Sequence, residues 1–166
     1  HDRGRRAAVV VVWQAGRRAR AGSMSAMRQV FLDTETTGLS AEQGDRIIEI
    51  ACIEYDNRRD SGRRLHHYVN PGRSSHPDAV RVHGITDEFL ADKPVFAALA
   101  DDILEYCRDA EIIIHNASFD VGFLNAELKR LSKGVRVAES KNNRSPIALT
   151  LKPCFSHNTI ITRYWG

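Results

Sequence analysis

At 166 residues the chain is long enough for one domain of ordinary size. Its formal charge of +3 comes from the two ends: residues 1–27 carry six Arg against one Asp, residues 132–166 six Lys/Arg against one Glu, and residues 28–131 only twelve Lys/Arg against nineteen Asp/Glu. An acidic core excludes nucleic-acid binding by bulk charge alone, three widely spaced cysteines without a CxxC exclude a disulfide framework and point to a reducing, cytoplasmic setting, and no apolar run approaches a membrane span.

Residues 1–27 hold one apolar run, Ala7 to Trp13. A secretory signal would follow it with small residues, but Arg17, Arg18 and Arg20 stand there. The expectation is that translation starts at Met24 or Met27, with the preceding residues an upstream or disordered extension. Arg28–Asp33 then reads as a buried central strand. Leu39–Asp45 reads as a loop, Arg46–Asp56 as a second strand, Asn57–Gly62 as a hairpin turn and Arg63–Asn70 as a third strand ended by Pro71-Gly72. Connections this short imply an antiparallel meander. His66 and His67 fall on opposite faces of that third strand, which argues against a joint metal site. Arg58, Arg59, Arg63 and Arg64 read as solvated flanks of the hairpin.

Pro77–His83 reads as a short helical turn, followed by Gly84 as a turn and Thr86 as an N-cap. Asp92 is placed to cap the next helix, with Pro94 near its first turn. Val95, Leu99, Ile103 and Cys107 recur every four residues and mark that helix's inner face. Glu111–His115 reads as a fourth strand, parallel to the first because a helix separates them. Phe119–Leu131 is a further helix, with Phe123, Leu124, Leu128 and Leu131 inward and Glu127 on a solvated face. Residues 132–145 read as loop and Ile147–Leu151 as a short strand, and residues 152–166 have no clear period.

The chemistry concentrates in Val30-Phe31-Leu32-Asp33-Thr34-Glu35-Thr36-Thr37-Gly38-Leu39. A strand has a period of two, so Asp33 and Glu35 share a face. Paired carboxylates at a buried strand end suit Mg²⁺ or Mn²⁺, and without a cation they resist ionising together. Glu111-Ile112-Ile113-Ile114-His115-Asn116-Ala117-Ser118-Phe119-Asp120 repeats the pattern, an apolar run ending in a carboxylate. With the two strands adjacent, Asp120 comes up beside Asp33 and Glu35 as a site for a pair of divalent ions. Such ions, about 3.5–4 Å apart, stabilise both the attacking and the leaving oxygen of a phosphoryl displacement.

These residues, with Ile47-Ile48-Glu49-Ile50 and Val82-His83-Gly84-Ile85-Thr86, resemble the proofreading 3′→5′ exonuclease family typified by the epsilon subunit of bacterial DNA polymerase III. The resemblance runs from about Arg28 to Leu131. It implies an α/β, ribonuclease-H-like exonuclease fold: a mixed sheet with an antiparallel meander and a parallel strand, here C-terminally incomplete. It divides the chain into an extension (1–27), an exonuclease domain (28–131) and an atypical tail (132–166). It also implies Asp33, Glu35 and Asp120 as metal ligands for two Mg²⁺ or Mn²⁺ ions, and Thr36, Asp78 and His83 as substrate contacts. The substrate would be single-stranded or mismatched 3′ DNA ends, and the partner the polymerase III catalytic subunit.

One part of the family pattern is missing. The family closes with a His followed five residues later by an Asp, the general base and a further metal ligand. The one His after Asp120 is His157, with Thr162 five residues on, and residues 121–166 contain no Asp. The expectation is an exonuclease face with little or no hydrolysis, and a helix at Phe119–Leu131 left partly uncovered. The alternatives are a 3′→5′ RNA exonuclease, a non-catalytic nucleotide-binding module that docks on a polymerase, or a tail produced by a change of reading frame.

Overall fold

A computed structural model describes residues 8–14, 28–131, 138–139 and 148–154. Within them runs a mixed sheet in the order β4 (Arg59–Tyr68), β3 (Ile47–Asp56), β2 (Arg28–Thr36), β5 (Glu111–Ile114), β1 (Ala8–Gln14), β7 (Ala148–Cys154), β6 (Ala138–Glu139). β2, β3 and β4 form the expected antiparallel meander. β5 lies parallel to β2, with Val30 opposite Ile112. β1 takes the other side of β5, and β7 and β6 follow it outward. The remainder of residues 1–27 and of 132–166, His157 included, lies outside the described residues.

The core fills one face of the sheet. Val30, Leu32, Ile50, Cys52, Leu65, Ile112 and Ile114 pack against α3 (Phe96–Cys107) and α4 (Ala117–Arg130). From those helices come Phe96, Leu99, Ile103, Val121, Phe123, Leu124 and Leu128, all buried. Each such side chain contributes about 1.5–3 kcal/mol on leaving water. Two short helices, α1 (Pro77–His83) and α2 (Asp87–Leu90), bridge the meander to α3. Thr86 caps α2 as expected, its hydroxyl accepting the Phe89 N–H. As alternation dictates, His66 pairs in register with Ala51 and His67 with Ile50, on opposite faces.

Four local expectations change. The hairpin turns at Asn57-Arg58 rather than across Asn57–Gly62, with φ of +48° and +66° at the two residues. Two adjacent left-handed residues make a tight turn whose twist matches its strands, so β4 begins at Arg59. Gly62, with φ of +78°, sits inside β4 where the register shifts opposite Glu54. It is a bulge residue, which sequence alone reads as a turn signal.

Asp92 does not cap α3, because Pro94 holds the chain extended and the helix starts two residues later, at Phe96. Asp92 instead meets Lys93 Nζ at 2.6 Å, Val95 is half exposed, and the inner face is Phe96, Leu99, Ala100 and Ile103. The segment after Thr36 is not plain loop: Ala41–Gln43 forms a 3₁₀ turn, with Ser40 Oγ accepting the Gln43 N–H at 3.3 Å. Finally, Glu127 is not solvated. It is 1% exposed, because Arg46 reaches under α4 to meet it at 2.7 Å.

Candidate active site

The strand that carries the paired acids runs past Asp33 to Thr36 before a register shift between Glu35 and Thr36 breaks its ladder. Asp33 and Glu35 are half-buried on one face, and Thr34 and Thr36 are buried on the other. Glu49 stands directly opposite Glu35 on β3. It is buried and held by His66, whose Nε2 lies 2.6 Å from Glu49 Oε1. The site therefore contains a carboxylate to which sequence reading gave no role. Its signal was available: once the register is known, Glu49 follows Glu35 onto the same face.

Asp120 arrives from the helical side. Asn116, in the left-handed conformation at φ +57°, turns the chain from β5 into α4 and brings Asp120 into the first helical turn. Its carboxylate is 3% exposed and accepts the Thr34 hydroxyl at 2.7 Å. Thr34 alternates with Asp33 and Glu35, so Asp120 reaches the same strand end but is drawn to the opposite face.

The Asp33 charge still reaches both other acids. Burial, the Asp33 charge and the Glu49 charge push Glu35 up to about 7. Burial, with the Asp33 charge and against the Thr34 hydrogen bond, pushes Asp120 up to about 7. Hard oxygen donors crowded until two of them hold protons near neutral pH suit a divalent cation, whose charge relieves the crowding. Among the described residues no three His, Cys, Asp or Glu side chains close around a common point. Joint coordination requires Asp120 to leave Thr34.

Beside the acids the chain folds into a rigid turn. Thr36 Oγ1 donates to the Gly38 carbonyl at 2.6 Å, and Thr37 Oγ1 donates to Asp45 at 3.0 Å. Burial works against the Asp45 carboxylate. The Ser40 N–H, the Thr37 hydroxyl and the charges of Arg73 and His76 outweigh it and hold Asp45 below the usual range. Gly38 is required by close approach: a Cβ there would lie 2.4 Å from both Asp45 Oδ2 and His76 Cδ2. Because Asp45 is fixed by several partners, Gly38→Ala is expected to cost about 1–3 kcal/mol. Urea unfolding reads this directly, and a variant as stable as the parent would show that the turn yields.

The other anticipated contacts separate. His83 comes to this turn: its Nδ1 accepts the Ile85 N–H at 3.0 Å, and its Nε2 is buried without a hydrogen-bond partner among the described residues. Burial lowers its pKa against the opposing effect of the Thr36 backbone. A neutral ring that accepts at Nδ1 carries its proton on Nε2, so a donor waits beside Thr36. Asp78 stands in solvent on α1, paired with Arg81. A groove of about 680 Å³ opens between the segment at Leu39 and α4, lined in part by Leu39, Ser118, Phe119, Ala126, Lys129 and Arg130.

Comparison with known proteins extends the picture. Residues 30–147 match the Exonuclease family (RNase_T). The DNA polymerase III subunit epsilon of Rickettsia felis is 51% identical over 120 residues, 72% of this chain and 52% of its own. That of Haemophilus influenzae is 50% identical over 113 residues, 66% of this chain and 44% of its own. The chain spans about half the length of the curated relatives it matches. Among solved structures, an exonuclease I whose architecture suggested how processivity is achieved superposes with a TM-score of 0.56 at 26% identity, over 63% of this chain and 24% of its own. The metal-free complex of E. coli exonuclease I with single-stranded DNA gives a TM-score of 0.57 at the same identity, over 63% of this chain and 24% of its own. Among the described residues no helix is long and apolar enough to cross a membrane.

Proposed function

The chain belongs to the Exonuclease family, and from that premise we propose that it is the exonuclease part of a proofreading subunit of DNA polymerase III, acting in the cytoplasm on single-stranded or mismatched 3′ DNA ends. The observation that supports this reading is that Asp33 and Glu35 share one face at the end of β2 and that Asp120 is brought to the same strand end through Thr34, near enough for the Asp33 charge to raise both other acids. These three would hold two Mg²⁺ or Mn²⁺ ions, which supply charge stabilisation for the attacking and leaving oxygens.

The remaining residues position the strand. Thr36 fixes the turn over which the terminal nucleotide lies. His83 offers its Nε2–H to a sugar or phosphate oxygen, a bond stronger than the weak contact with the Thr36 backbone, since among the described residues this buried donor has no partner at hydrogen-bond geometry. Asp78 keeps a substrate role on the family resemblance alone. Phe119 and Leu39 give the adjoining groove apolar faces for bases, and Lys129 and Arg130 give it charge for phosphates. The polymerase III catalytic subunit is the proposed partner.

A second reading has its own support. Asp120 is held by the Thr34 hydroxyl on the other face of β2, and among the described residues no three acids close around a common point, which favours a module that binds a nucleotide end with metal and turns it over slowly or not at all. Digestion of 5′-labelled deoxy- and ribo-oligonucleotides in Mn²⁺ tests both. Stepwise shortening of the DNA from its 3′ end, lost in Asp33→Ala, supports the first reading. Preferential shortening of the RNA replaces it with an RNA exonuclease. Metal-dependent binding of a nucleoside monophosphate without shortening of either selects the second.

A further inference from the structure

Asp120 and Glu127 are seven residues apart on α4, close to two full turns, so both point from one face of the helix toward the sheet. Asp120 meets β2 through Thr34. Glu127 meets the start of β3. Arg46 donates to it twice, Nε to Oε1 at 2.7 Å and Nη2 to Oε2 at 2.8 Å, and the Ile47 N–H reaches Oε1 at 3.3 Å. Arg130 stands further off, at 3.6 Å.

Arg46 is fixed on its other side as well. Its Nη1 donates to the Pro71 carbonyl at 3.1 Å. Its backbone N–H donates to Thr37 Oγ1 at 3.0 Å, and its carbonyl accepts the Thr37 N–H at 2.9 Å. Ile47 pairs with Thr36 just past the register shift that ends the acidic strand. One guanidinium thus ties the helix that carries Asp120 to the turn that follows Asp33 and Glu35.

Stability alone does not account for such a pair. A buried ion pair is often no more stabilising than apolar residues of similar volume. A two-pronged Arg–carboxylate contact does fix distance and angle, because the fork is planar. We propose that Arg46 and Glu127 are positioning residues: together they set the height and rotation of α4 so that Asp120 stands at the end of β2 within reach of an ion shared with Asp33 and Glu35. The inference rests on the metal-site reading above. Neither residue touches the ion or the substrate; both act through Asp120.

The test is Mn²⁺ binding by the full chain, with free Mn²⁺ measured by electron paramagnetic resonance. Arg46→Lys keeps the charge and loses the fork, and Glu127→Gln keeps the shape and loses the charge. Each is expected to weaken Mn²⁺ binding about 10–100-fold, the usual effect of losing a group that orients a ligand. In an Asp120→Asn background the same changes are expected to add little, since they act through the group already removed.

A paired apolar replacement, Arg46→Met with Glu127→Leu, separates position from stability. Positioning predicts that melting temperature recovers and Mn²⁺ affinity does not. Recovery of both, or effects that simply add to that of Asp120→Asn, would overturn the proposal and leave the pair a structural contact. Asp33→Asn is the control for the site itself. Weakened binding there with unchanged binding in the Arg46 and Glu127 variants overturns the clamp alone. Binding that ignores Asp33→Asn overturns the metal site and the clamp with it.

Discussion

Single-turnover removal of the 3′ nucleotide from single-stranded DNA in Mn²⁺ is expected to run about 10²–10⁴-fold slower for these 166 residues taken alone than for a relative that carries the closing His and Asp. The size follows from what a general base does. Water attacks phosphorus as hydroxide, and a positioned base removes its proton in the transition state. His83 cannot take that part as it stands: its Nδ1 is committed to the Ile85 N–H, and Nε2 then carries a proton. His66 is engaged with Glu49 at 2.6 Å. The acids at the strand end could still orient a metal and a phosphate, so a residual rate is expected, and Asp33→Ala should remove it. A rate within tenfold of the relative's, still abolished by Asp33→Ala, would mean that another group in the chain serves as base.

How far the sequence revealed this site depends on the range of the forces involved. The strand end at Asp33–Glu35, the parallel pairing of β2 with β5 and the first-turn position of Asp120 follow from periodicity and from a helical connection, both local rules. The hairpin was misplaced because glycine signals a positive φ without saying which structure needs it, and Gly62 serves a bulge inside β4. Asp92 lost its capping role to Pro94, which delayed the helix to Phe96.

Glu127 is the more instructive miss. Helical spacing places it next to Leu128 on α4, and a charged residue beside a core position usually faces water. Only the fold brings Arg46, from 81 residues away in sequence, under that helix to pair with it. The pairing of Asp120 with Thr34, across 86 residues, escapes sequence reading in the same way. Partners distant in sequence decide which buried charges are tolerated, and no local pattern encodes them.

The protonation of the strand-end acids carries the second large expectation, a metal-dependent reversal in how stability varies with pH. Glu35 and Asp120 ordinarily ionise at 4.5 and 3.8, and both are pushed up to about 7 in the folded chain. Across that interval the folded state holds protons that the unfolded state has released. Their stabilising effect is therefore complete below about pH 4 and is lost as pH rises through 7. A tenfold difference in proton affinity between the folded and unfolded chain corresponds to about 1.4 kcal/mol. Asp120, almost fully buried, carries most of the effect, and solvent screening reduces the share of the less buried Glu35.

Asp45, Asp60, Asp87 and Asp92 are shifted down instead, so they contribute stability above their usual range and lose it in acid. Between pH 5 and 8 burial also lowers His67 and His83, which favours the folded state as pH rises, but the larger upward shifts of Glu35 and Asp120 govern. Without metal, the melting temperature is expected to fall across that window by about 5–10 °C, the scale of a few kcal/mol in a domain of this size. Millimolar Mn²⁺ binds the ionised acids and should abolish the fall at its alkaline end. Asp120→Asn should flatten the metal-free curve, because an amide cannot ionise. Calorimetric melting across this range, with and without Mn²⁺, gives all three curves. A metal-free profile that rises from pH 5 to 8 would mean that Glu35 and Asp120 are ionised together without a cation, and that the strand end is wetter than their burial implies.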